Sequence, residues 1–516
     1  MDREVDVLVM GGSFSGACVG TLIRRWHPGA RVLVVERSGK FDRKVGESTS
    51  EVAGCFLTRV LGLSGYLSRH HITKHGLRMW FNGGGNECIS RCSEIGPKYQ
   101  VRLPTYQLDR SELDEHLLEL ARDSGCEVMR PATVRDLELD GEGENRAVVR
   151  TADGEEVRVR ARWVIDASGK AAVVARQRKT WRRLESHPTN SVWARFRNVG
   201  DLDSAELGER FPCYKDAVGA PRGASTNHLM GYGWWCWIIP LKNGDVSAGV
   251  TWNPELFDLP AGGSLSERLQ GHLVSHPVGR ELFAKAEPLE KDVRTYTHLP
   301  YYSTEVAGDG WASVGDACGF MDPLYSQGLD YCSHTVYAAA KMVAASLDGD
   351  PVEEARANYS QQFRDSYFRW YKALYDGKYA YLGDAELMHA AFLLDVGTYF
   401  LGPVRLVRER EDSEYRMLPY NGVGGRVFAK FMGFYNRRLV AIAEKRRRAG
   451  VYGNKNTGRR MLIAKGFSPE VGSSFGHILN GVRIWLWCEL KAVLLPLKGR
   501  RVGMEPPVVQ ATGISK

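Results

Sequence analysis

The 516-residue chain lacks the closely paired cysteines that would indicate a structural zinc site. Its ten cysteines are scattered, and the spacing of the nearest pair, Cys88 and Cys92, fits no common metal site. His71 and His75 are four residues apart, but their segment alternates like a strand and has no third ligand nearby. We therefore expect free thiols, no metal and a cytoplasmic location.

Long apolar runs are also scarce. No uninterrupted run reaches the roughly 20 residues that cross a bilayer. The closest, residues 478–497, contains Arg483, Glu489 and Lys491, which indicates a docked or interfacial helix. The charged opening of the chain does not resemble a signal peptide. We expect no stable membrane insertion.

Low-complexity tracts, internal repeats and nucleic-acid-binding motifs are absent from the sequence. With 43% hydrophobic and 25% charged residues, the composition is that of a globular protein, and the length predicts two or three lobes. The formal charge is +8, with much of the basic excess after residue 437. A solvated helix face explains this excess, with an anionic partner as the alternative; we expect no nucleic acid partner.

Residues 5–36 show the pattern on which the rest of the chain depends. A buried strand (5–10) runs into a small-residue turn (11–16) and an apolar helix, and a second strand (31–35) ends at Glu36. Glycines in such a turn allow close approach of a pyrophosphate, and the acid binds a ribose hydroxyl. Ser13 replaces the usual middle glycine, and a βαβ unit without a nucleotide is the alternative. The candidate contacts are Gly11, Gly12, Ser13, Phe14, Ser15, Gly16, Ala17 and Glu36.

Other segments belong with this pattern. A buried strand (163–166) ends in a second small-residue turn, and a later strand returns to the core at residues 311–316. An amphipathic helix opens near residue 110, after a polar segment at 44–49. The turn after the buried strand adds Asp166 and Ala167 as candidate cofactor contacts.

The pattern changes to a period of two between residues 191 and 253, where Asn243-Gly244 predicts a hairpin. We expect an α/β protein with α+β inserts: a Rossmann-like core, an antiparallel substrate sheet and a helical C-terminal region. The predicted parts are a nucleotide-binding core (1–76, 106–184 and 301–347), substrate-lobe strands (77–105), an antiparallel substrate lobe (185–300) and a helical region (348–516).

Two motifs carry further chemistry. Residues 235–240 read Trp-x-Trp-x-Ile-Pro, and on a strand Trp235, Trp237 and Ile239 point to one face ahead of Pro240. Residues 320–328 read Phe-x-x-Pro-x-x-Ser-x-Gly, in which Phe320, Pro323, Ser326 and Gly328 are the named positions of the motif. A loop that ends at a helix N-terminus offers free amides to an anion.

The nucleotide-binding segments together resemble the FAD-binding lobe of flavoprotein monooxygenases of the aromatic-hydroxylase type. The two motifs, with Lys74, narrow the resemblance to flavin-dependent halogenases, which include tryptophan, pyrrole and phenol halogenases. It covers most of residues 1–345. It implies that reduced FAD and O2 give a flavin hydroperoxide, which chloride or bromide attacks, and that amides near Gln327 and Gly328 hold the halide. Lys74 and Ser326 would be catalytic, with the motif tryptophans beside the flavin. The family resemblance also implies six further cofactor contacts: Lys44, Glu47, Ser48, Arg110, Gly315 and Asp316.

In that family the lysine passes hypohalous acid to the substrate, either as an ammonium donor or as a chloramine. Tyr325 stands where tryptophan halogenases have a glutamate, which argues for a phenol or pyrrole and against free tryptophan. We expect a phenolic natural product, free, peptide-linked, carrier-linked or polyketide, in secondary metabolism such as antibiotic biosynthesis.

The apolar segment 171–175 and the lack of a second dinucleotide motif imply that a separate NAD(P)H-dependent reductase supplies the FADH2. The alternatives are an FAD-dependent aromatic hydroxylase and a non-catalytic binding protein on the same fold.

Overall fold

The computed structural model describes residues 2–85, 87–103, 105–140, 144–409, 415 and 418–495. The strands in this part of the chain are β1 (Asp2–Met10), β2 (Val32–Val35), β3 (Ile72–Lys74), β4 (Leu77–Phe81), β5 (Ser93–Pro97), β6 (Thr105–Gln107), β7 (Glu127–Met129), β8 (Ala132–Glu138), β9 (Asn145–Thr151), β10 (Glu156–Asp166), β11 (Trp181–Arg183), β12 (Asn190–Arg197), β13 (Thr226–Gly231), β14 (Trp234–Pro240), β15 (Val246–Trp252), β16 (Glu287–Pro288), β17 (Arg294–Tyr296), β18 (Tyr301–Ser303), β19 (Ala307–Gly308), β20 (Trp311–Ser313), β21 (Gly319–Phe320) and β22 (Arg460–Ile463).

The helices are α1 (Phe14–Trp26), α2 (Glu51–Cys55), α3 (Ser64–His70), α4 (Arg110–Asp123), α5 (Val173–Gln177), α6 (Ala205–Arg210), α7 (Pro212–Lys215), α8 (Leu265–Ser275), α9 (Pro277–Phe283), α10 (Gly328–Leu347), α11 (Glu353–Trp370), α12 (Ala385–Tyr399), α13 (Arg405–Glu409), α14 (Gly422–Arg448) and α15 (Val471–Val493). Turns of π-helix extend α2, α11 and α12 at their C-terminal ends.

The first sheet has the predicted nucleotide-binding topology. Its parallel strands run in the order β20-β10-β1-β2-β7, and β8, β9 and β19 add antiparallel pairs at its margins. The β1–α1–β2 unit is confirmed. The strand predicted at 163–166 is the second half of a longer strand, β10. The first half of β10 alternates between exposed and buried residues because only one of its faces is covered.

The second sheet, called the large sheet below, runs in the order β16-β12-β15-β14-β13-β4-β5-β22, and β17 also pairs with β12. The antiparallel strands predicted between 191 and 253 are confirmed, and Gly244 turns the β14–β15 hairpin with a φ of +89°. The segment of His71 and His75, which alternates like a strand, is broken at Gly76, which has a φ of +71°. As a result β3 pairs with β6, whereas β4 joins the large sheet. Lys74 is the last residue of β3, directly before this break.

Helices dominate the C-terminal region, as predicted, but it also contributes β22 to the edge of the large sheet beside β5. The sequence predicted a helical region over residues 348–516 and did not predict this strand or its pairing with β5. Residues 496–516 of the predicted helical region lie outside the described residues.

One helical segment differs from the expectation about apolar runs. Ala385–Arg408 is long and apolar enough to cross a membrane, with a mean hydropathy of 1.4. The expectation that residues 478–497 come closest was therefore wrong. Within the protein, 72% of the apolar window in Ala385–Arg408 is buried, as in the core helix of a globular fold.

Candidate active site

The turn between β1 and α1 is packed so closely that only glycine fits. A Cβ on Gly11, whose φ is +105°, would lie 2.5 Å from the carbonyl oxygen of Ala167. A Cβ on Gly16 would lie 1.8 Å from the carbonyl oxygen of Gly11, and one on Gly315 would lie 2.2 Å from Ser15 Oγ. The first turn, the turn after β10 and the turn after β20 therefore meet at the N-terminus of α1. Backbone amides at such a point can approach a pyrophosphate.

Glu36 lies at the end of β2, as its position in the sequence predicted. Its carboxylate accepts the amide of Gly12 at 2.8 Å and that of Ser38 at 2.8 Å. Asp166 has a different role in the structure, because its carboxylate accepts the amides of Ser168 and Val174. It therefore shapes the second turn from within.

A buried ionic cluster adjoins the first turn. Asp114 accepts from Ser13 Oγ at 2.6 Å, from Lys44 Nζ at 3.2 Å and from Arg110 Nε at 3.0 Å. Although burial raises the pKa of Asp114, Arg110 and Lys44 bring it below the ordinary value. The sequence predicted three members of the cluster and missed Asp114. Its position four residues after Arg110 on α4 was the available signal.

Asp316 provides a test of whether a cofactor fits. Burial raises the pKa of its carboxyl group, and Arg110 opposes this shift. Among the described residues, its side chain accepts one weak hydrogen bond, from the Cys332 thiol at 4.0 Å. A half-buried carboxylate with so little compensation, beside turns made of glycine, suits the polar linker of a dinucleotide. Phe14, Ser15, Ala17 and Ala167 complete this part of the fold, and the residues present fit FAD.

Two of the predicted cofactor contacts, Glu47 and Ser48, form side-chain bonds to the large sheet. Glu47 is bound by Arg195 of β12, whose Nη2 lies 2.7 Å from Glu47 Oε1, and burial raises the pKa of Glu47 to about 7. Arg195 also forms two bonds to Asp109. Ser48 bonds Thr226 Oγ1 at 3.0 Å and accepts from Lys74 at 2.8 Å. The bonds to Arg195 and Thr226 join residues 47 and 48 to β12 and β13 of the large sheet.

Lys74 is buried, with 2% of its surface exposed. Its Nζ donates to the carbonyl oxygen of Thr49 at 2.7 Å and to Ser48 Oγ at 2.8 Å. Since an ammonium has three donors, one remains for another partner. Burial lowers the pKa of Lys74 to about 8, against the opposing charges of Glu51 and Asp330. The amine and the ammonium are therefore both accessible near neutral pH.

Lys74 opens onto a cavity of about 100 Å³ that the loop before α10 also reaches. Tyr325 and Gln327 line it from that loop, and Glu51, the first residue of α2, lines it beside Lys74. Burial raises the pKa of Glu51, and Lys74 opposes that shift. Sequence reasoning missed Glu51, although it stands only three residues after the predicted contact Ser48.

The far wall of the cavity combines a segment of the predicted substrate-lobe strands (77–105) with parts of the C-terminal region that were not expected there. Residues 97 and 99–103 form one side, and the C-terminal region forms another through Leu374, Phe392, Asp395, Val396, Tyr399, Phe400, Ile463, Ala464, Gly466 and Phe467. Among the described lining residues, none comes from the predicted lobe 185–300. The wall is mostly apolar and suits an aromatic guest.

The loop before α10 has an unusual backbone. Tyr325 and Ser326 both have positive φ, at +69° and +60°, which costs energy for residues other than glycine. The Tyr325 hydroxyl donates to Asp395 at 3.0 Å, which fixes the ring. The first α-helical bond runs from Tyr331 to Gln327, so the amides of Gly328 and Leu329 have no acceptor within the helix. An anion can bind there.

The two motifs meet in one core. Trp235, Trp237 and Ile239 are buried together with Met321, Leu324 and Tyr325, while Phe320 ends β21 and Pro240 ends β14. The Trp235 indole donates to Tyr379 Oη at 2.9 Å, and that hydroxyl donates to Asp322 at 2.8 Å. Tyr379 and Asp322 were not predicted.

Comparison with known proteins decides the family. The sequence model of the tryptophan halogenase family matches residues 86–375, more than half of the chain. The chain belongs to the tryptophan halogenase family. This flavin-dependent halogenase is 27% identical over 380 residues to tryptophan 2-halogenase of Chondromyces crocatus, an alignment that covers 72% of this chain and 67% of the relative. It is 25% identical over 468 residues to tetracycline 7-halogenase of Kitasatospora aureofaciens, covering 82% and 80%.

Solved structures show the same fold. Halogenase PltM superimposes with a TM-score of 0.71 at 17% identity, covering 93% of this chain and 96% of that one. A further PltM structure, with phloroglucinol and FAD, matches with the same score and coverage. The family match confirms the expected flavin-dependent halogenase of aromatic substrates over the hydroxylase and non-catalytic alternatives, and the solved structures confirm the α/β fold.

Proposed function

We propose that this halogenase places chlorine or bromine on a phenolic ring held beside Lys74. The observation that carries the proposal is that Lys74, Glu51 and the loop residues Tyr325 and Gln327 share one cavity. A relay group, a carboxylate and an anion-binding helix end are the groups that electrophilic halogenation of a ring requires.

FAD would be held by the turns around Gly11, Gly16 and Gly315, with Glu36 and Asp316 as polar contacts. When it is bound in the reduced form, it supplies with O2 the oxidising power that converts halide to hypohalous acid. The free amides of Gly328 and Leu329 would hold the halide before that step, because the N-terminus of α10 favours an anion.

Lys74 would pass the halogen on in one of two ways. As an amine it exchanges an N–H for an N–halogen bond with release of water, and regains its proton after the ring has taken the halogen. As an ammonium it donates a hydrogen bond to the oxygen of hypohalous acid and gives that oxygen a proton as the halogen moves to the ring. The oxygen then leaves as water, and the amine takes up the proton that the ring loses. Thr49 and Ser48 hold Nζ at the cavity wall in both cases.

Glu51 would accept the phenolic proton. A phenoxide is far more electron-rich than a phenol, so the ring needs no further activation. The hydroxyl of Tyr325, at the position of the tryptophan-halogenase glutamate, is bound to Asp395, so Glu51 is the other carboxylate among the described residues that line the cavity. PltM binds phloroglucinol, a phenol, which supports the same substrate class.

The electrons would come from a separate NAD(P)H-dependent flavin reductase. Residues 170–175, where aromatic hydroxylases have polar contacts to nicotinamide, form a short 3-10 turn and the start of α5 with mostly apolar side chains. The substrate would be a natural product, free or attached to a peptide or carrier.

The deciding experiment supplies the enzyme with a reductase, NADH, FAD and either chloride or bromide. Phloroglucinol, its trimethyl ether and L-tryptophan are compared by mass spectrometry. We expect a halogenated product from the phenol and far less from the ether, which has no proton to give to Glu51. Equal yields from phenol and ether, or a preference for tryptophan, would contradict the phenol proposal.

A further inference from the structure

Most of the exposed large apolar side chains lie on one surface. Eleven of the 16 in the described chain belong to α14 and to α15 with the residue that follows it, and each is 49–74% exposed. We call this surface the α14/α15 face; its apolar members are Val423, Val427, Phe434, Val471, Phe475, Leu479, Leu486, Trp487, Leu490, Val493 and Leu494. So large an apolar patch on a folded protein marks a binding surface.

The helix α15 is apolar on both sides. Ser474, Ile478, Gly481, Trp485, Cys488 and Ala492 form its buried side, and a Cβ on Gly397 of α12 would lie 2.6 Å from Ile478 Cγ1. The opposite side carries the exposed residues. Phe434 contacts Trp485 edge-on at 5.8 Å, and Arg438 binds Glu489 at 2.7 Å, so α14 and α15 form one surface.

Cations surround this surface. The helices α14 and α15 together contain ten lysines and arginines against two glutamates, Glu444 and Glu489. Glu489 is bound to Arg438, and four exposed cations, Arg426, Lys430, Arg437 and Arg483, lie between the apolar side chains on the helix faces. The two helices have an excess of eight positive charges. Two of their cations do not belong to the face, because Arg446 is buried against Asp384 and Glu386, and Lys491 is paired with Glu386.

We propose that the α14/α15 face docks this protein onto an anionic lipid bilayer. Large aliphatic side chains, a tryptophan and flanking cations are the features by which a helix lies in the interface of a membrane. A second copy of the chain fits less well, because a two-fold contact would bring the two cationic rims together. The contact is peripheral, since α15 remains packed on α12.

The α14/α15 face lies next to a helix that lines the cavity beside Lys74. The helix α12 packs against α15 and lines the cavity through Phe392, Asp395, Val396 and Tyr399. Lipid binding therefore acts on the helix next to the cavity wall. The inference itself stands independently of the proposed substrate.

The test is co-sedimentation of the full chain with vesicles of phosphatidylcholine alone or with phosphatidylglycerol added. We expect binding to the anionic vesicles that is at least tenfold stronger than to the neutral ones and that weakens as salt rises. The variants Leu486→Glu with Leu490→Glu, and Lys430→Glu with Arg437→Glu, should each lose this binding. Leu265→Glu is the matched control, an exposed leucine on α8.

Three results would overturn the proposal: no binding to anionic vesicles, equal binding to both kinds, or binding that survives both double variants. Analytical ultracentrifugation of the same proteins tests whether a second copy of the chain binds the face instead. A dimer that Leu486→Glu with Leu490→Glu dissociates would assign the face to a second copy. A wild-type monomer that binds anionic vesicles supports the lipid surface.

Discussion

Tyr379 donates its hydroxyl hydrogen to Asp322 at 2.8 Å and accepts one from the indole of Trp235 at 2.9 Å. A single hydroxyl in the C-terminal region thereby joins a residue of the Trp-x-Trp-x-Ile-Pro strand to a residue of the Phe-x-x-Pro-x-x-Ser-x-Gly loop. The loop contains two strained residues, Tyr325 and Ser326, which stay in place only if their surroundings hold them. The two motifs are therefore mechanically coupled.

This coupling predicts the effect of Tyr379→Phe. The change leaves the buried Trp235 Nε1 without an acceptor and removes one of the donors to Asp322, which should lower the free energy of unfolding by about 1–3 kcal/mol. It should also lower the halogenated product formed per flavin oxidised. Denaturant unfolding and a product-to-peroxide ratio measure both effects. Tyr296→Phe, at an exposed tyrosine, is the control and should change neither.

Lys74→Ala should leave FAD bound and reduced flavin consumed, but abolish the halogenated product. Removal of the side chain takes away the group that carries the halogen from the helix end to the ring. Lys74→Arg keeps the charge yet cannot form a comparable chloramine. Product from the alanine variant at a yield near that of the wild type would exclude the relay.

The free amides at the N-terminus of α10 predict different effects for Gly328→Ala and Gly328→Pro. A Cβ there meets only Phe320 Cε2 at 3.9 Å, so Gly328→Ala should be nearly neutral. Gly328→Pro removes one free amide at a position where proline suits a helix. It should steeply raise the chloride concentration needed for product while flavin oxidation continues, with hydrogen peroxide formed instead. Ser326→Ala should weaken chloride use by no more than about 1.5–3 kcal/mol, the worth of one bond to a charged group.

Product measured against chloride, with peroxide assayed in parallel, separates these variants. If the folded, flavin-binding Gly328→Pro protein keeps the chloride dependence of Gly328→Ala, then the halide binds elsewhere.

The purified protein, given NADH and FAD without a reductase, should not bleach the flavin absorbance at a useful rate. The reason is that the turn after β10 offers few polar groups to a nicotinamide, and the sequence contains no second dinucleotide motif. Adding a reductase is the positive control. Rapid bleaching by NADH alone would show that the protein reduces its own flavin.

The sequence predicted features formed by residues adjacent in the chain well, and contacts between residues far apart in the chain poorly. The turn at Gly11–Gly16, the helix from Gly328 and the β14–β15 hairpin each follow from residues adjacent in the chain, where glycine, burial and period act over a few positions. Lys74 was predicted because two motifs supported it, and it lines the cavity.

Long-range contacts were missed for a physical reason. Asp322 meets Tyr379 across 57 residues, and the cavity wall combines residues near 100, 395 and 465. Such contacts depend on how the C-terminal helices and β22 pack on the large sheet. Apolar periodicity shows that a helix is buried but does not identify the surface that covers it.

The final prediction concerns pH and decides between the two forms of Lys74. Its pKa is lowered to about 8 because it is buried, and the charges of Glu51 and Asp330 act in the opposite direction. If the amine carries the halogen, product per flavin oxidised should rise with pH through about 8 and then level off. If the ammonium is required, the yield should fall over the same range.

Glu51→Gln tests this assignment because it removes a negative charge that raises the pKa of Lys74. Without that charge the ammonium is less favoured, so the midpoint of the pH profile should move to lower pH in either mechanism. The loss of the carboxylate should also slow halogenation of the phenol by about 10²-fold or more, the ordinary contribution of a general base. Glu206→Gln on α6, far along the chain from the cavity, is the matched control and should leave the midpoint and the rate unchanged. A midpoint that stays in place in the Glu51→Gln protein would mean that the titration near pH 8 does not belong to Lys74.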